Sequence, residues 1–311
     1  MEKRILGNTG IEVSRLGLGS LTMGRLQKNS SSETIKKVTK ACYEKGINFC
    51  DGAELYDSYE VLREMVKLNR ECVIASKSYA YDLPTAKKAF EEALREIGRD
   101  YIDIFLMHEQ ESEWTIRGHH EALEFYLKMK QAGYIRAVGL STHKIDCVRA
   151  TAKFPQIEIV HPLINYKGYG LFDGTRLDME NAIKDAHNRG VGIYSMKIFG
   201  GGHLLKDRIE AVDYILNQDY IDASMIGMQS VEEVEYNVRL FERKDVSKID
   251  APILNKKVVI EPWCEKCMNC AKVCPQNAIH LVDNTVTIDE SRCVLCGYCG
   301  SACENMCIKM F

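Results

Sequence analysis

Short apolar runs recur eight times between Arg15 and Gly227, each ending in polar residues or glycine, and helical patterns separate them. The runs are 15–20, 47–51, 72–77, 102–108, 136–141, 157–161, 191–197 and 223–227. Apolar residues three and four apart mark helices at 34–45, 84–98, 121–133 and 178–190, the last three ending at glycine, a usual helix stop. Eight strand-helix units with no long gap between them predict an α/β fold, a parallel (β/α)8 TIM barrel. Ahead of the first unit, residues 3–14 alternate around Asn8-Thr9-Gly10 and predict an N-terminal β-hairpin, placed to plug the lower end of the barrel. A chain of 311 residues is within the scale of one such barrel with an appended piece.

The appended piece is marked by cysteine. Of thirteen cysteines, nine lie between 264 and 307, eight of them in two matched runs. The first is Cys264-x-x-Cys267-x-x-Cys270-x-x-x-Cys274-Pro275 and the second Cys293-x-x-Cys296-x-x-Cys299-x-x-x-Cys303. Disulfides are disfavoured because the start, Met1-Glu2-Lys3-Arg4, lacks the apolar segment of a secretory leader. Structural zinc needs four ligands, and a third cysteine at the same short step has no role in it. The spacing is similar to that of bacterial two-cluster ferredoxins, a resemblance that implies two [4Fe-4S] clusters in a small α+β domain. It also implies that each fourth cysteine crosses over. One cluster then takes Cys264, Cys267, Cys270 and Cys303, and the other Cys293, Cys296, Cys299 and Cys274. Residues 279–289 alternate around Asp283-Asn284 and predict a hairpin joining the runs. Glu304 stands where a proline usually follows, and Cys307 reads as packing.

The expected division is therefore a barrel over 1–240, a connector over 241–255 containing Asp250-Ala251-Pro252, and a cluster domain over 256–311. From Lys256 to Phe311 six basic residues balance six acidic ones, which suggests a tethered module rather than a free, acidic electron carrier. The whole chain carries a formal charge of −3 and a pI near 6.3, which gives no case for nucleic acid or an anionic membrane. Cys42, Cys50, Cys72 and Cys147 are scattered and read as buried apolar residues of a protein in a reducing, cytoplasmic compartment of an anaerobic or microaerobic host.

Barrel chemistry sits at the C-terminal ends of strands. Those positions hold Asp51 with Tyr56 five residues on, then Lys77, then His108. A lysine near a phenol stabilises tyrosinate, and a carboxylate keeps the lysine charged, so the expected effect is a lowered Tyr56 pKa. At this point the chain resembles the aldo-keto reductases. The segments that carry the likeness are 7–19, 48–56, 74–77, 102–108 and 135–141, in order and spacing. The resemblance implies hydride transfer between a nicotinamide and a carbonyl or alcohol carbon of a small molecule, with Asp51, Tyr56, Lys77 and His108 as the catalytic tetrad. Tyr56 is then the general acid in reduction and the base in oxidation.

Further cofactor positions follow from the same resemblance. Ser141 matches a residue that holds the nicotinamide carboxamide, and His161 stands where the family usually has glutamine, another carboxamide partner. Asn165 matches the asparagine that commonly ends strand six, and Tyr194 matches an aromatic that stacks on the nicotinamide ring. Ser195, Lys197 and the glycines beginning at Gly200 lie where a loop approaches the pyrophosphate. After the eighth strand, Gly227, Gln229, Glu233 and Asn237 fall near the adenosine, with Glu233 at the usual arginine position. A carboxylate there repels a 2′-phosphate and accepts from ribose hydroxyls, so the expected cofactor is NADH rather than NADPH.

Other positions depart from the family. Gly52 and Asp57 replace a usual threonine and glycine, and the long C-terminal loop that closes the family's pocket is missing, so the cluster domain is expected over the barrel mouth. Trp114, His119 and His120 lie after the fourth strand, where such barrels line the pocket, although a solvated loop is the commoner reading of the two histidines, and Glu109 beside His108 hints at a polar substrate. A hydride carries two electrons and a cluster one. A bound flavin between them, direct feeding of the substrate by the clusters, and purely structural clusters all stay open, as does an external electron-carrier protein. The alternative to an enzyme is a redox-sensing or electron-transfer protein whose barrel is not catalytic.

Overall fold

A computed structural model describes residues 1–25, 27–171, 173–247, 249, 257–274, 277–290, 292–293 and 298–310. Pro275, Cys296 and the connector's Asp250-Ala251-Pro252 lie outside them. The chain opens with β1 (Lys3–Ile5) and β2 (Glu12–Ser14), paired antiparallel. Eight strands then close a parallel barrel. They are β3 (Leu16–Gly19), β4 (Phe49–Asp51), β5 (Val73–Ser78), β6 (Ile102–Met107), β7 (Ile135–Thr142), β8 (Ile159–Pro162), β9 (Gly192–Ser195) and β10 (Ala223–Gly227), with β10 returning to β3. The helices packed outside are α1 (Ser32–Glu44), α2 (Tyr59–Leu68), α3 (Leu83–Ile97), α4 (Glu113–Gly118), α5 (His120–Gln131), α6 (Ile145–Ala150), α7 (Arg176–Asn188), α8 (Arg208–Leu216) and α9 (Val231–Phe241). The (β/α)8 expectation is met, each strand falling within two or three residues of its apolar run.

Local chemistry explains the boundaries. Asp82 accepts from the Thr85 amide at 2.9 Å to start α3, Pro84 sits in its first turn, and Gly98 ends it with φ +76°. Thr175 and Asp178 form a reciprocal capping box on α7. The hairpin plugs the barrel as expected. Leu6, Ile11 and Val13 are fully buried with Phe49, Ile104 and Tyr194 from the barrel interior. Gly7, at φ +48°, lies so close to the Gly190 carbonyl that a Cβ has no room, and its own amide donates to Asp222 Oδ2 at 3.2 Å. Among the described residues no helix is long and apolar enough to cross a membrane.

The C-terminal lobe is an internal repeat. It contains β11 (Val258–Ile260), α10 (Asn269–Lys272), β12 (Ile279–Val282), β13 (Thr285–Ile288), α11 (Tyr298–Ser301) and β14 (Ile308–Met310). A constant step of 29 residues relates Cys264 to Cys293, Cys270 to Cys299, Cys274 to Cys303 and Ile279 to Ile308. The repeats interlock, since β12 pairs with β13 but β11 reaches forward to β14. The expected hairpin turn is present, with Asp283 and Asn284 both left-handed at φ +47° and +58°, as a two-residue turn between twisted strands requires. Cys270, Cys299, Ile279, Ile308, Val258 and Val286 form the lobe's small core.

Candidate active site under a cysteine-rich lobe

Asp51 ends β4, Lys77 lies in β5, and His108 follows β6, so three adjacent strand ends deliver three of the four tetrad side chains. Tyr56 comes on a single helical turn, Glu54–Tyr56, closed by Asp57 in the left-handed region at φ +47°. Lys77 Nζ donates to Asp51 Oδ1 at 2.5 Å and to the Gly52 carbonyl at 2.8 Å. The Tyr56 hydroxyl and His108 Nε2 are 3.2 Å apart, and Lys77 Nζ stands 5.2 Å from the centre of the Tyr56 ring. Gly52 has little room for a side chain, because a Cβ would lie 3.0 Å from Leu62 and 3.1 Å from Ser20 Oγ.

The electrostatics differ from the expectation in one respect. Burial first, then Asp51, Glu109 and Tyr79, pushes the Tyr56 phenol well above its ordinary range rather than below it. Lys77 is already engaged by Asp51 and Gly52, and burial pulls its ammonium down while Asp51 opposes the fall. Burial, with Lys77, His161 and Lys197 nearby, holds His108 well below the usual imidazole range. The resting site thus contains a protonated phenol hydrogen-bonded to a neutral imidazole, a pair able to give a proton to an oxygen gaining negative charge.

A cavity of about 200 Å3 runs away from Asp51 and Tyr56. Of the expected cofactor positions it is lined by His161, Lys197, Gly227, Gln229, Glu233 and Asn237, with Gly201 and Gly202 of the glycine turn. Others are placed elsewhere. Ser141 Oγ accepts from the Glu109 amide at 2.9 Å. Asn165 is spent on both backbone groups of Tyr169 at 2.9 Å, and Ser195 Oγ meets Ser224 Oγ at 2.7 Å. Gly200 is buried just behind its neighbours. Tyr194 is fully buried, its hydroxyl donating to Asp51 Oδ2 at 3.1 Å and its ring stacked 4.1 Å from His161. His161 borders the cavity with Tyr194 stacked behind it, and Tyr56, Phe199 and Tyr236 line it too. Burial lowers the His161 pKa to about 4, so this ring is neutral.

Sequence reading missed Thr22, Gln27 and Arg208. Thr22 Oγ1, Gln27 Oε1 and Gln229 Oε1 are buried without a partner among the described residues, and all three line the cavity. Orphaned polar atoms in a lined groove fit a ligand rich in hydroxyl and amide groups, as a dinucleotide is. Arg208, at the start of α8, lines the same end, where Glu233 favours its charge against burial. Its only sequence signal was a basic residue at a helix start.

The wall expected after the fourth strand is not there. Trp114 is 77% exposed on α4. His119 Nδ1 lies 2.7 Å from the Thr115 carbonyl and His120 Nδ1 3.2 Å from that of Arg117, both spent on the helix backbone, and none of the three lines the cavity. Glu109 instead accepts from the Tyr79 hydroxyl at 2.6 Å. The remaining wall comes from the lobe, whose Met306 and Lys309 border the same cavity. His203 Nε2 donates to the Ile308 carbonyl at 3.1 Å, with its ring filling the space at Gly300.

Inside the lobe a second cavity, of about 80 Å3, is lined by Cys264, Cys267, Cys270 and Cys303, with Cys307. The Cys307 amide donates to Cys303 Sγ at 3.2 Å, and one repeat earlier the Ala278 amide donates to Cys274 Sγ at 3.4 Å. Amides aimed at sulfur stabilise thiolate, and four cysteines around one cavity fit a cluster. Cys307 is buried at the position equivalent to Ala278. Of the second set, Cys274, Cys293 and Cys299 are described, and Cys296 lies outside the described residues.

Comparison with known proteins adds the following. The aldo/keto reductase family model matches residues 15–213, and a 4Fe-4S dicluster domain model matches 256–304. L-galactose dehydrogenase of Arabidopsis thaliana is 24% identical over 306 residues, covering 84% of this chain and 95% of that protein. An aldo-keto reductase of Bacillus subtilis is 30% identical over 178 residues, covering 51% of this chain and about half of the relative, 53%. The holo structure of an aldo-keto reductase from Bacillus halodurans superposes with a TM-score of 0.62 at 20% identity, covering 80% of this chain and 93% of that one, which speaks for the fold.

Proposed function

The chain belongs to the aldo/keto reductase family and carries a 4Fe-4S dicluster domain, and from that premise we propose that it is an oxidoreductase acting on a carbonyl or alcohol group of a small molecule at Tyr56. The observation that carries the reading is the Tyr56–His108 contact at 3.2 Å at the inner end of the cavity, backed by the buried Lys77–Asp51 pair. When bound, a nicotinamide supplies or takes the hydride at the substrate carbon, and clusters held by Cys264, Cys267, Cys270 and Cys303 and by Cys293, Cys296, Cys299 and Cys274 supply single electrons. In reduction the carbonyl oxygen gains charge as its carbon gains the hydride, and Tyr56 gives that oxygen its proton. In oxidation the tyrosinate takes the hydroxyl proton back. His108 Nε2 orients the phenol, and Lys77 steadies the anion left behind.

His161, Gln229, Asn237, Thr22 and Gln27 would hold the dinucleotide along the groove. NADH is the preferred form, because Glu233 already balances Arg208 at the end where a 2′-phosphate would lie. Steady-state kinetics of Tyr56→Phe, assayed anaerobically on the iron-loaded full chain, test the proposal. Loss of general acid catalysis should lower kcat by about 10²- to 10⁴-fold with little change in dinucleotide affinity. Turnover equal to wild type with every carbonyl tried would remove the catalytic role of Tyr56 and leave an electron-transfer protein.

A further inference from the structure

Two lysines from different parts of the chain border the active-site cavity. Lys197 follows β9, with its backbone in the left-handed region at φ +57°. Lys309 lies in β14 of the lobe, held 2.7 Å from Glu261 Oε1 and 4.8 Å from the centre of the Trp263 ring. Their charges are close enough to oppose one another, and burial together with Lys309 brings the Lys197 pKa down to about 8. Two ammonium groups bordering one partly dry cavity are unfavourable unless something anionic joins them.

The carboxylates nearby do not fill that role from inside. Glu261 and Glu109 stand outside the cavity wall. Of the carboxylates that do line it, Asp51 is bound to Lys77 and Tyr194, while Glu233, at the adenosine end, accepts from the Gln229 amide at 2.7 Å. The Lys197 ammonium makes no hydrogen bond or ion pair with any described residue beyond these longer-range charges, its carbonyl alone accepting from the Gly200 amide at 2.8 Å. The charge of Lys197 acts on His108 and His143, and that of Lys309 on His143.

We propose that Lys197 and Lys309 form a two-lysine cradle for an anionic group of the substrate, so that the compound reduced at Tyr56 is an oxo acid and the cysteine-rich lobe sets this specificity. The inference rests on the carbonyl-reductase reading above and supplies its substrate class. It also gives the lobe a role that electron transfer alone does not require. Tyr56, Lys197 and Lys309 line the same cavity, so one small substrate can present its oxo group and its carboxylate to the same space.

The test uses the iron-loaded full chain. Lys309→Met and Lys197→Met are compared with Lys309→Arg, each checked for unchanged iron content, on 2-oxo acids and on neutral aldehydes and ketones of similar size. Each methionine variant should raise KM for the oxo acids about tenfold or more, the loss of one charged hydrogen bond, and Lys309→Met should leave the neutral carbonyls unmoved. Lys309→Arg should recover most of the loss. KM for an oxo acid should also rise above about pH 8, as Lys197 loses its proton. The facing imidazoles His108 and His143 are neutral there and do not add to the slope, whereas Lys309, Glu109 and Glu261 also face this space, so the profile is repeated in Lys197→Met, which should flatten it.

Equal losses on charged and neutral substrates would overturn the cradle. A loss appearing in NADH affinity instead would assign the lysines to the pyrophosphate and overturn it too. Should no carbonyl be turned over, calorimetric binding of oxamate separates the two claims. Binding weakened by Lys309→Met keeps the cradle while the reductase reading fails, and no binding to the wild type ends the cradle itself.

Discussion

Glu233 and Arg208 share the far end of the cavity, and the balance between them bears on which dinucleotide the groove accepts. Glu233 Oε2 accepts from the Gln229 amide at 2.7 Å, so Glu233→Gln keeps an acceptor in place while removing the charge that offsets the guanidinium. The expected outcome is a shift of kcat/KM toward NADPH by about tenfold, the size of one charge-assisted hydrogen bond gained by a 2′-phosphate on Arg208. Coenzyme kinetics with both dinucleotides check it, and a wild-type preference for NADPH would reverse the assignment. The sequence already showed the acidic residue at 233, because the family resemblance puts an arginine at that position. It did not show Arg208, which reaches the site only because α8 begins beside the loop after β9. Tyr194 is a related case: its place at a strand end is legible, but only packing shows that His161 covers its face.

At the level of elements, the alternation of apolar runs and helices was legible because each barrel strand is buried along nearly its whole length, as in β5 and β6. In the segment after β6 the solvated-loop reading of the two histidines holds, and the pocket-wall reading fails for a physical reason. Trp114, His119 and His120 suggest a pocket wall by composition, yet α4 turns them outward or onto its own carbonyls. The wall is made by β14, more than 190 residues away in sequence, as Met107 and Lys309 show by their numbers. What docks β14 is chiefly His203, through the Ile308 carbonyl and the space at Gly300. His203→Ala removes one hydrogen bond and the ring's packing, about 1–2 kcal/mol together. Amide exchange at residues 308–310 should then speed up by roughly tenfold while β12 and β13 stay protected. Unchanged exchange across β14 would mean that the lobe is held by other contacts.

Over the whole molecule the two parts differ in how they are stabilised. The barrel buries an extensive apolar core between strands and helices and another inside the strands. Among the described residues the lobe's core cluster has six buried side chains, and two of these, Cys270 and Cys299, belong to the proposed cluster ligands. So few apolar groups do not order some fifty residues unaided, and a small domain of this kind depends on metal for its fold. Anaerobic removal of iron by a chelator should therefore unfold the lobe and spare the barrel. Circular dichroism should keep the barrel's thermal transition, while amide protection is lost across β11, β12, β13 and β14. Lys309 would leave the cavity with its strand, so the oxo-acid KM should rise about as far as in Lys309→Met, and the neutral carbonyls should again be unaffected. Retained protection in the stripped lobe would show that its fold does not need the clusters. A collapse of kcat with neutral substrates would show instead that electrons from the lobe enter the reaction at Tyr56, a different coupling from the shared wall that Met306 and Lys309 provide.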